Sequence, residues 1–435
     1  MTESALVMKG LSLYPDRSGL GTRGSGFGCP ADQLNRFPLT PAIASVFSTR
    51  VTSDLAPNRL SAALARLRED RVEFDDLTES NPTRVGVDYP GRLLEALAQP
   101  CGLTYAPEPF GMPSARDAVV GDFRRRGMTV PRDRVVLTAS TSEAYSMLFK
   151  LLCNPGDEVL VPAPSYPLFE YLAALESVRP RTYQLEYHGA WSLDIDGLRR
   201  ATTERTRAVV VVSPNNPTGS YLKRDELDAL AMHCRARGLA LIGDEVFAEY
   251  VLDAELPRTS SVLAQRQALT FGLGGLSKGL GLPQLKLGWM VAAGPDELVR
   301  PALERLEIIC DTYLSVATPV QAGLQALLTE GAGIRTGIRD RVTRNYRALL
   351  TIAPRYPSVD VLPAEGGWYA VVQVPAMQSE ESLALHLLEH DRVLVHPGYF
   401  FDFPREAFLV ISLLPRPEVF DRAVSRVLDR VEAAA

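Results

Sequence analysis

Ala208-Val-Val-Val-Val212 is an unbroken apolar run with no turn residue inside it. A strand with one wet face would alternate polar and apolar residues. A run like this one belongs to a strand covered on both faces, as in a parallel sheet. Parallel strands need long crossover connections, so the flanking chain must supply helices. It reads that way. Arg134–Leu137, Glu158–Val161, Leu239–Ile242 and Leu269–Leu273 form further short apolar strands. Between them, Ser142–Leu152, Tyr166–Leu175 and Arg224–Arg237 carry the spacing of amphipathic helices. The expectation is an α/β fold with a mostly parallel sheet.

Open sheets of this kind bind ligands beyond the carboxyl ends of their strands. Those positions are polar and distinctive here. The strands run in turn into Thr138-Ala-Ser-Thr-Ser-Glu143, Ser213-Pro-Asn-Asn-Pro-Thr-Gly219, Asp244-Glu245 and Gly274-Gly-Leu-Ser-Lys278. After Thr318-Pro319 the pattern changes. Helical spacing over Val320–Tyr346 is followed by apolar stretches at Val359–Leu362, Trp368–Val374, Val393–His396 and Phe408–Leu413, with a helix near Glu381–His390. This predicts a smaller α+β unit. The chain divides into an N-terminal arm over 1–40, rich in Gly, Ser and Thr and read as flexible, a segment over 41–95 that packs with the small domain, a large domain over 96–317 and a small domain over 318–435.

Composition narrows the function. A net charge of −6 with scattered basic residues gives no electrostatic reason to expect nucleic acid or an anionic membrane. No apolar run reaches the roughly 20 residues that span a bilayer, and the N-terminus lacks a basic start followed by an apolar stretch. The five cysteines are far apart with no CxxC pair, which points to no metal and to reduced thiols in a cytoplasmic setting. Of 46 basic residues only five are lysine: Lys9, Lys150, Lys223, Lys278 and Lys286. In a chain that uses arginine by default, a lysine calls for a reason.

Taken singly, each strand end has a structural reading: Asn-Pro-Thr-Gly is a common turn, and Asp244 could cap a helix. Their order is what carries information. Ser213-Pro-Asn-Asn-Pro-Thr-Gly219, Asp244-Glu-Val-Phe247 and Leu276-Ser-Lys-Gly-Leu-Gly-Leu-Pro283, with Lys286 eight residues after Lys278, resemble the class I/II aminotransferases. These have the aspartate-aminotransferase fold and depend on pyridoxal 5′-phosphate (PLP). The resemblance covers roughly residues 75–430. It implies that Lys278 holds PLP as a Schiff base and moves the substrate proton, and that Asp244 pairs with the pyridine nitrogen. Asn216 would bond the ring oxygen and Tyr166 stack on the ring. Ser140, Thr141 and Ser142, at a helix start, would bind the phosphate with Lys286. Tyr105 resembles the tyrosine that reaches the phosphate from a second subunit, which implies a homodimer with shared active sites.

Four positions depart from the family pattern. Lys286 stands for an arginine, Phe247 for a tyrosine and Gly275 for a small hydroxyl residue. Val410, in Phe408-Leu-Val-Ile-Ser412, stands where the resemblance would place the arginine that grips the substrate carboxylate. Arg84, Arg416 and Arg405 are candidates to replace it, with Asn81 nearby in sequence to Arg84. The implied activity is a PLP-dependent aminotransferase moving an amino group between an amino acid and a 2-oxo acid. A PLP lyase that eliminates a β or γ group, or an oxidase of specialised metabolism, is the alternative on the same fold; Phe247 and Val410 keep it open.

Overall fold

The computed structural model describes residues 46–52, 55–255, 258–259 and 261–435. The arm expected over 1–40 lies outside them. Eight strands form the central sheet: β1 (Val135–Thr138), β2 (Glu158–Ala163), β3 (Arg179–Tyr187), β4 (Trp191–Leu193), β5 (Thr206–Val212), β6 (Ala240–Asp244), β7 (Thr270–Gly275) and β8 (Gly288–Ala293). Their order is β1-β8-β7-β6-β5-β2-β3-β4. Strands β7, β6, β5, β2 and β3 pair in parallel; β8 runs antiparallel to both its neighbours, and β4 is antiparallel to β3. The expected mostly parallel α/β sheet is present. Val209 and Val210 in β5 are fully buried, each on its own face of the sheet. Val210 packs with α1 (Thr141–Leu152) and α2 (Leu168–Leu175), and Val209 with the helix Arg224–Arg237. Two covered faces are why the run has no polar alternation.

The second sheet is smaller and wholly antiparallel. Its strands β9 (Asp360–Leu362), β10 (Tyr369–Gln373), β11 (His396–Pro397) and β12 (Phe408–Ser412) stand in the order β9-β10-β12-β11. The helices Ala332–Ile352, Glu380–Glu389 and Pro417–Ala434 belong to this unit. The N-terminal segment joins it. Asp75 and Asp76 pair in parallel with Val393 and Leu394, and the helix Arg59–Glu69 sends Arg59 to Glu381 and Arg66 to Glu389.

The two units meet at the Asn-Asn-Pro-Thr-Gly turn. Gly219 has φ +73°, and a Cβ there would sit 2.7 Å from the Gly366 carbonyl oxygen. Only glycine allows this approach, because a side chain would meet both the backbone strain and the carbonyl. The Gly219 carbonyl accepts the N–H of Gly366 at 2.9 Å, and Lys223 pairs with the buried carboxylate of Glu365. Part of the motif is therefore a contact between the two units rather than a ligand contact.

Candidate active site

The carboxyl ends of β1, β5, β6 and β7 open into one cavity of about 520 Å³, closed on the other side by the small sheet. Ser140, Thr141, Ser142, Tyr166, Asn216, Asp244, Lys278, Lys286 and Asn81 all line it. From Asn81 to Lys286 these residues span just over two hundred positions of sequence; the sheet brings together all but Asn81, which caps the short turn Pro82–Arg84 in the N-terminal segment.

Lys278 follows β7 in the single helical turn Leu276–Gly279. Its carbonyl accepts the Tyr250 hydroxyl at 2.6 Å, which pins the turn, and its Nζ lies 5.4 Å from the Trp368 ring centroid. Asp244 ends β6. Its Oδ1 accepts the Val246 N–H and its Oδ2 the Tyr145 hydroxyl, each at 3.2 Å. Burial, then repulsion from Asp244, raises the Tyr145 pKa well above the ordinary phenol value. Tyr145 therefore stays protonated and acts as donor, so the carboxylate is held and oriented from two sides. Tyr145 was not among the expected residues. It lies four positions after Thr141, on the same face of α1, which is the signal that could have found it.

The helix α1 starts with a strong cap. Ser140 Oγ accepts the Glu143 N–H at 3.2 Å, and Glu143 Oε2 accepts the Ala139 N–H at 2.6 Å. The cap leaves the N–H groups of Thr141 and Ser142, which have no intrahelical acceptor, at the cavity wall. Lys286 faces the same cavity from a left-handed backbone, φ +47°. Such a conformation costs a β-carbon residue about 1 kcal/mol or more and is concentrated at functional sites. The backbone also gives way here. A Cβ on Gly288 would lie 3.2 Å from the Ser140 carbonyl carbon, and one on Gly275 would lie 3.0 Å from the Gly288 Cα.

These residues fit PLP. A helix start with a nearby lysine suits a phosphate dianion. Asn216 is buried, and its side-chain Oδ1 has no hydrogen-bond partner among the described residues. A buried unpaired amide is costly unless a bound molecule satisfies it. Since amide O and N are interchangeable by a flip, the group can present either atom to a ring oxygen. Lys278 and Asp244 supply the amine and the anion that the cofactor's aldehyde and ring nitrogen require.

Other expected residues lie elsewhere. Arg84 and Arg416 are exposed and do not line the cavity; the Arg416 guanidinium lies against Gly86, its Nε 2.6 Å from where a Cβ would be. Arg405 is exposed too, 5.1 Å above the Phe408 ring. Tyr105 is 77 % exposed, beside a different depression next to Met112 and Leu137. Val410 is fully buried in β12. Trp368 is fully buried, edge-on to Phe247 and Tyr250 at 5.1 Å each. Its neighbour Tyr369 lines the cavity. His396 sits in β11 and lines the cavity as well.

Comparison with known proteins agrees with this geometry. The family described as Aminotransferase class I and II matches residues 96–427. The glutamate-pyruvate aminotransferase AlaA of Escherichia coli (strain K12) is 28 % identical over 370 residues, covering 83 % of this chain and 91 % of that protein. The alanine aminotransferase of Mycobacterium tuberculosis (strain ATCC 25618 / H37Rv) is 30 % identical over 380 residues, covering 83 % and 86 %. A crystal structure of an aminotransferase from Escherichia coli superposes with a TM-score of 0.77 at 27 % identity, covering 88 % of this chain and 97 % of that one. The findings favour amino-group transfer over the lyase and oxidase alternatives. The chain belongs to the class I and II aminotransferases and is a transferase enzyme of the aspartate-aminotransferase fold.

Proposed function

We propose that Lys278 carries PLP and that this cavity exchanges an amino group between an amino acid and a 2-oxo acid. One observation carries the reading: Lys278, Asp244, Asn216, Lys286 and the capped start of α1 wall a single cavity. When bound, the cofactor supplies an aldehyde for the substrate amine and a ring that takes up charge from the substrate α-carbon. The chain's own groups do the rest. Lys278 Nζ is the base for the α-carbon proton. Asp244, fixed by Tyr145 and Val246, keeps a negative charge facing the ring nitrogen. Asn216 would satisfy its amide on the ring oxygen, and Tyr166 would cover the ring face. Ser140, Thr141, Ser142 and Lys286 would hold the phosphate and keep the cofactor in the cavity. The small sheet closes the cavity and limits water.

The exposed Leu103 (93 %), Tyr105 (77 %) and Leu94 (70 %) support pairing with a second copy, with Tyr105 reaching the partner's phosphate site. No described helix is long and apolar enough to cross a membrane, and the scattered cysteines support a cytoplasmic setting. In the test, protein loaded with PLP absorbs visible light and makes keto acid from amino acid only while a 2-oxo acid acceptor is present. Lys278→Ala loses both properties. Ammonia or peroxide release without acceptor overturns the reading.

A further inference from the structure

An amino acid and a 2-oxo acid both carry a carboxylate, and a carboxylate taken out of water needs a cation or several aimed donors. Val410, where the family resemblance places an arginine for that purpose, is fully buried. Among the described residues no arginine lines the cavity, and its two cations, Lys278 and Lys286, both belong to the large-sheet side. Strand register shows what faces the cavity instead. Val410 in β12 pairs directly with His396 in β11 and, on its other side, with Val371 in β10. Residues directly opposite in antiparallel strands project to one face, as do residues two apart along a strand. Tyr369, two before Val371 and opposite Ser412, shares that face. Tyr369 and His396 both line the cavity, so the face that carries Val410 is the one turned toward it. The imidazole therefore stands one strand away from the missing guanidinium, at the roughly 4.5–5.5 Å spacing of paired side chains.

The His396 ring is buried, edge-on to Phe401 at 5.7 Å and to Phe400 at 6.1 Å, and makes no hydrogen bond among the described residues. The N-terminal segment crosses the same face. Ser412 donates its N–H to the Leu77 carbonyl and its hydroxyl to the Glu79 carbonyl, each at 2.6 Å. Asn81, two residues on, lines the cavity. Its Oδ1 accepts the Thr83 N–H at 3.0 Å and the Thr83 hydroxyl at 2.7 Å, so the rest of that amide is an NH2 donor. Burial alone lowers the His396 pKa to about 4, so without a ligand the imidazole is uncharged at neutral pH. The surrounding elements do not offset that burial. Glu380 is turned to the N–H groups of Tyr399 and Phe408, and Asp76 is held by Thr78. Lys278, Lys286, Asp244 and Tyr369 line the same cavity. A carboxylate placed against the ring favours its charged form.

We infer that His396 takes the place of the missing arginine: it binds the α-carboxylate of both the amino acid and the 2-oxo acid, with the Asn81 amide as a second donor, and takes up a proton from solvent as the carboxylate docks. This rests on the function proposed above. An arginine at position 410 would bring a permanent charge. A histidine brings one only with a proton, so the grip weakens as pH rises.

The test uses the PLP-loaded enzyme with L-alanine and pyruvate as probes. His396→Leu should raise the KM of both at least about ten-fold, with kcat changed by less than about three-fold. Pyruvate has no amine, so its KM reports the carboxylate alone. In the wild type it should rise about ten-fold from about pH 6 to about pH 8. In His396→Gln, which keeps a donor but cannot be charged, that rise should disappear. Val410→Arg added to His396→Leu should restore the low KM without the pH dependence. In a readout without turnover, propionate should raise the denaturation midpoint of the loaded wild type, more at about pH 6 than at about pH 8, and should not raise that of His396→Leu. An unchanged KM for both acids in His396→Leu, or a loss of kcat at constant KM, overturns the inference. A wild-type pyruvate KM that is independent of pH overturns it too. If His396→Leu does not fold, the wild-type pH profile and His396→Gln decide. A loaded enzyme with no acceptor-dependent turnover sinks the proposed function itself, whereas normal turnover with a KM indifferent to His396 sinks only this inference.

Discussion

Along the large-sheet wall of the cavity, each functional side chain sits at or just after a strand end, and its neighbours in sequence hold it in place. Asp244 takes an N–H from Val246, two residues away, and Lys278 sits in the turn directly after β7. Along the small-sheet wall, Tyr369 and His396 owe their places to strand pairing between segments far apart in sequence. The contrast separates two kinds of constraint. Cofactor chemistry is fixed by the parallel sheet, whose strand ends are held rigidly in register. The facing wall rests on a second sheet, whose side chains can change without touching the strand ends that carry Asp244 and Lys278. Val410 illustrates the second kind: a valine is accommodated where the family resemblance implies an arginine.

The sharpest way to break that contrast is at Lys278. Lys278→Ala should lower kcat by at least about 10⁴-fold, since base and cofactor attachment are lost together. Rapid-mixing absorbance and steady-state turnover both measure it. Asp244→Asn should cost about 10²-fold in kcat, because it removes a preorganised charge. Tyr145→Phe removes a donor to that carboxylate and should cost about 3–10-fold, with the cofactor spectrum shifting in its pH titration. If Tyr145→Phe leaves rate and spectrum unchanged, the large-sheet wall is less tightly organised than the two hydrogen bonds imply.

The same division governed what could be read from the sequence. The unbroken valines of β5 announced a buried parallel strand because both faces are covered, and the polar strand ends followed from that. Three strands, β3, β4 and β8, are missing from the expected series, for physical reasons. β3 carries Arg179-Pro-Arg-Thr-Tyr-Gln-Leu-Glu-Tyr187, with four charged or amide side chains, and lies next to the sheet edge, where the short β4 covers it for three residues only. β8 begins two residues after Lys286 and runs antiparallel, so only the short turns Leu276–Gly279 and Pro283–Leu285 separate it from β7, with no crossover helix, and the alternation breaks. The local motifs placed Asp244, Lys278, Asn216 and the start of α1. The place of His396 in the wall depends on the pairing register of β11 with β12, which local sequence does not show. Arg84 and Arg416 were attractive as charges near the right motifs, but sequence distance does not say which way a guanidinium lies.

Ser140→Ala should have a smaller effect that sharpens the large-sheet side. The N-cap acceptor is lost, which should destabilise the helix start by about 1 kcal/mol, visible as a lower denaturation midpoint. Competition by inorganic phosphate for the cofactor site should weaken as well, since Ser140 lines that wall. A stability loss with unchanged phosphate competition would assign Ser140 to capping alone.

The smallest expected effect lies where the two units meet. Glu170 is on α2, next to Phe169 in the cavity wall, and Asp402 follows Phe401 in the opposite wall. Asp244 receives two donors, whereas Glu170 receives none among the described residues. Burial, with added repulsion from Asp402, raises the Glu170 pKa from 4.5 to about 7. Between those values the folded protein holds a proton that the unfolded chain has released. Stability therefore falls as pH rises through that window, and the loss is complete above it. Glu170→Gln removes the titration. It should raise Tm by roughly 1–2 °C at about pH 8 and leave it unchanged at about pH 5, the effect being small because the site is partly solvated. Equal shifts at both pH values would show that the substitution changes packing rather than charge. The contact between the walls would then be insensitive to this carboxyl, and the contrast with the fully partnered Asp244 would lose its electrostatic basis.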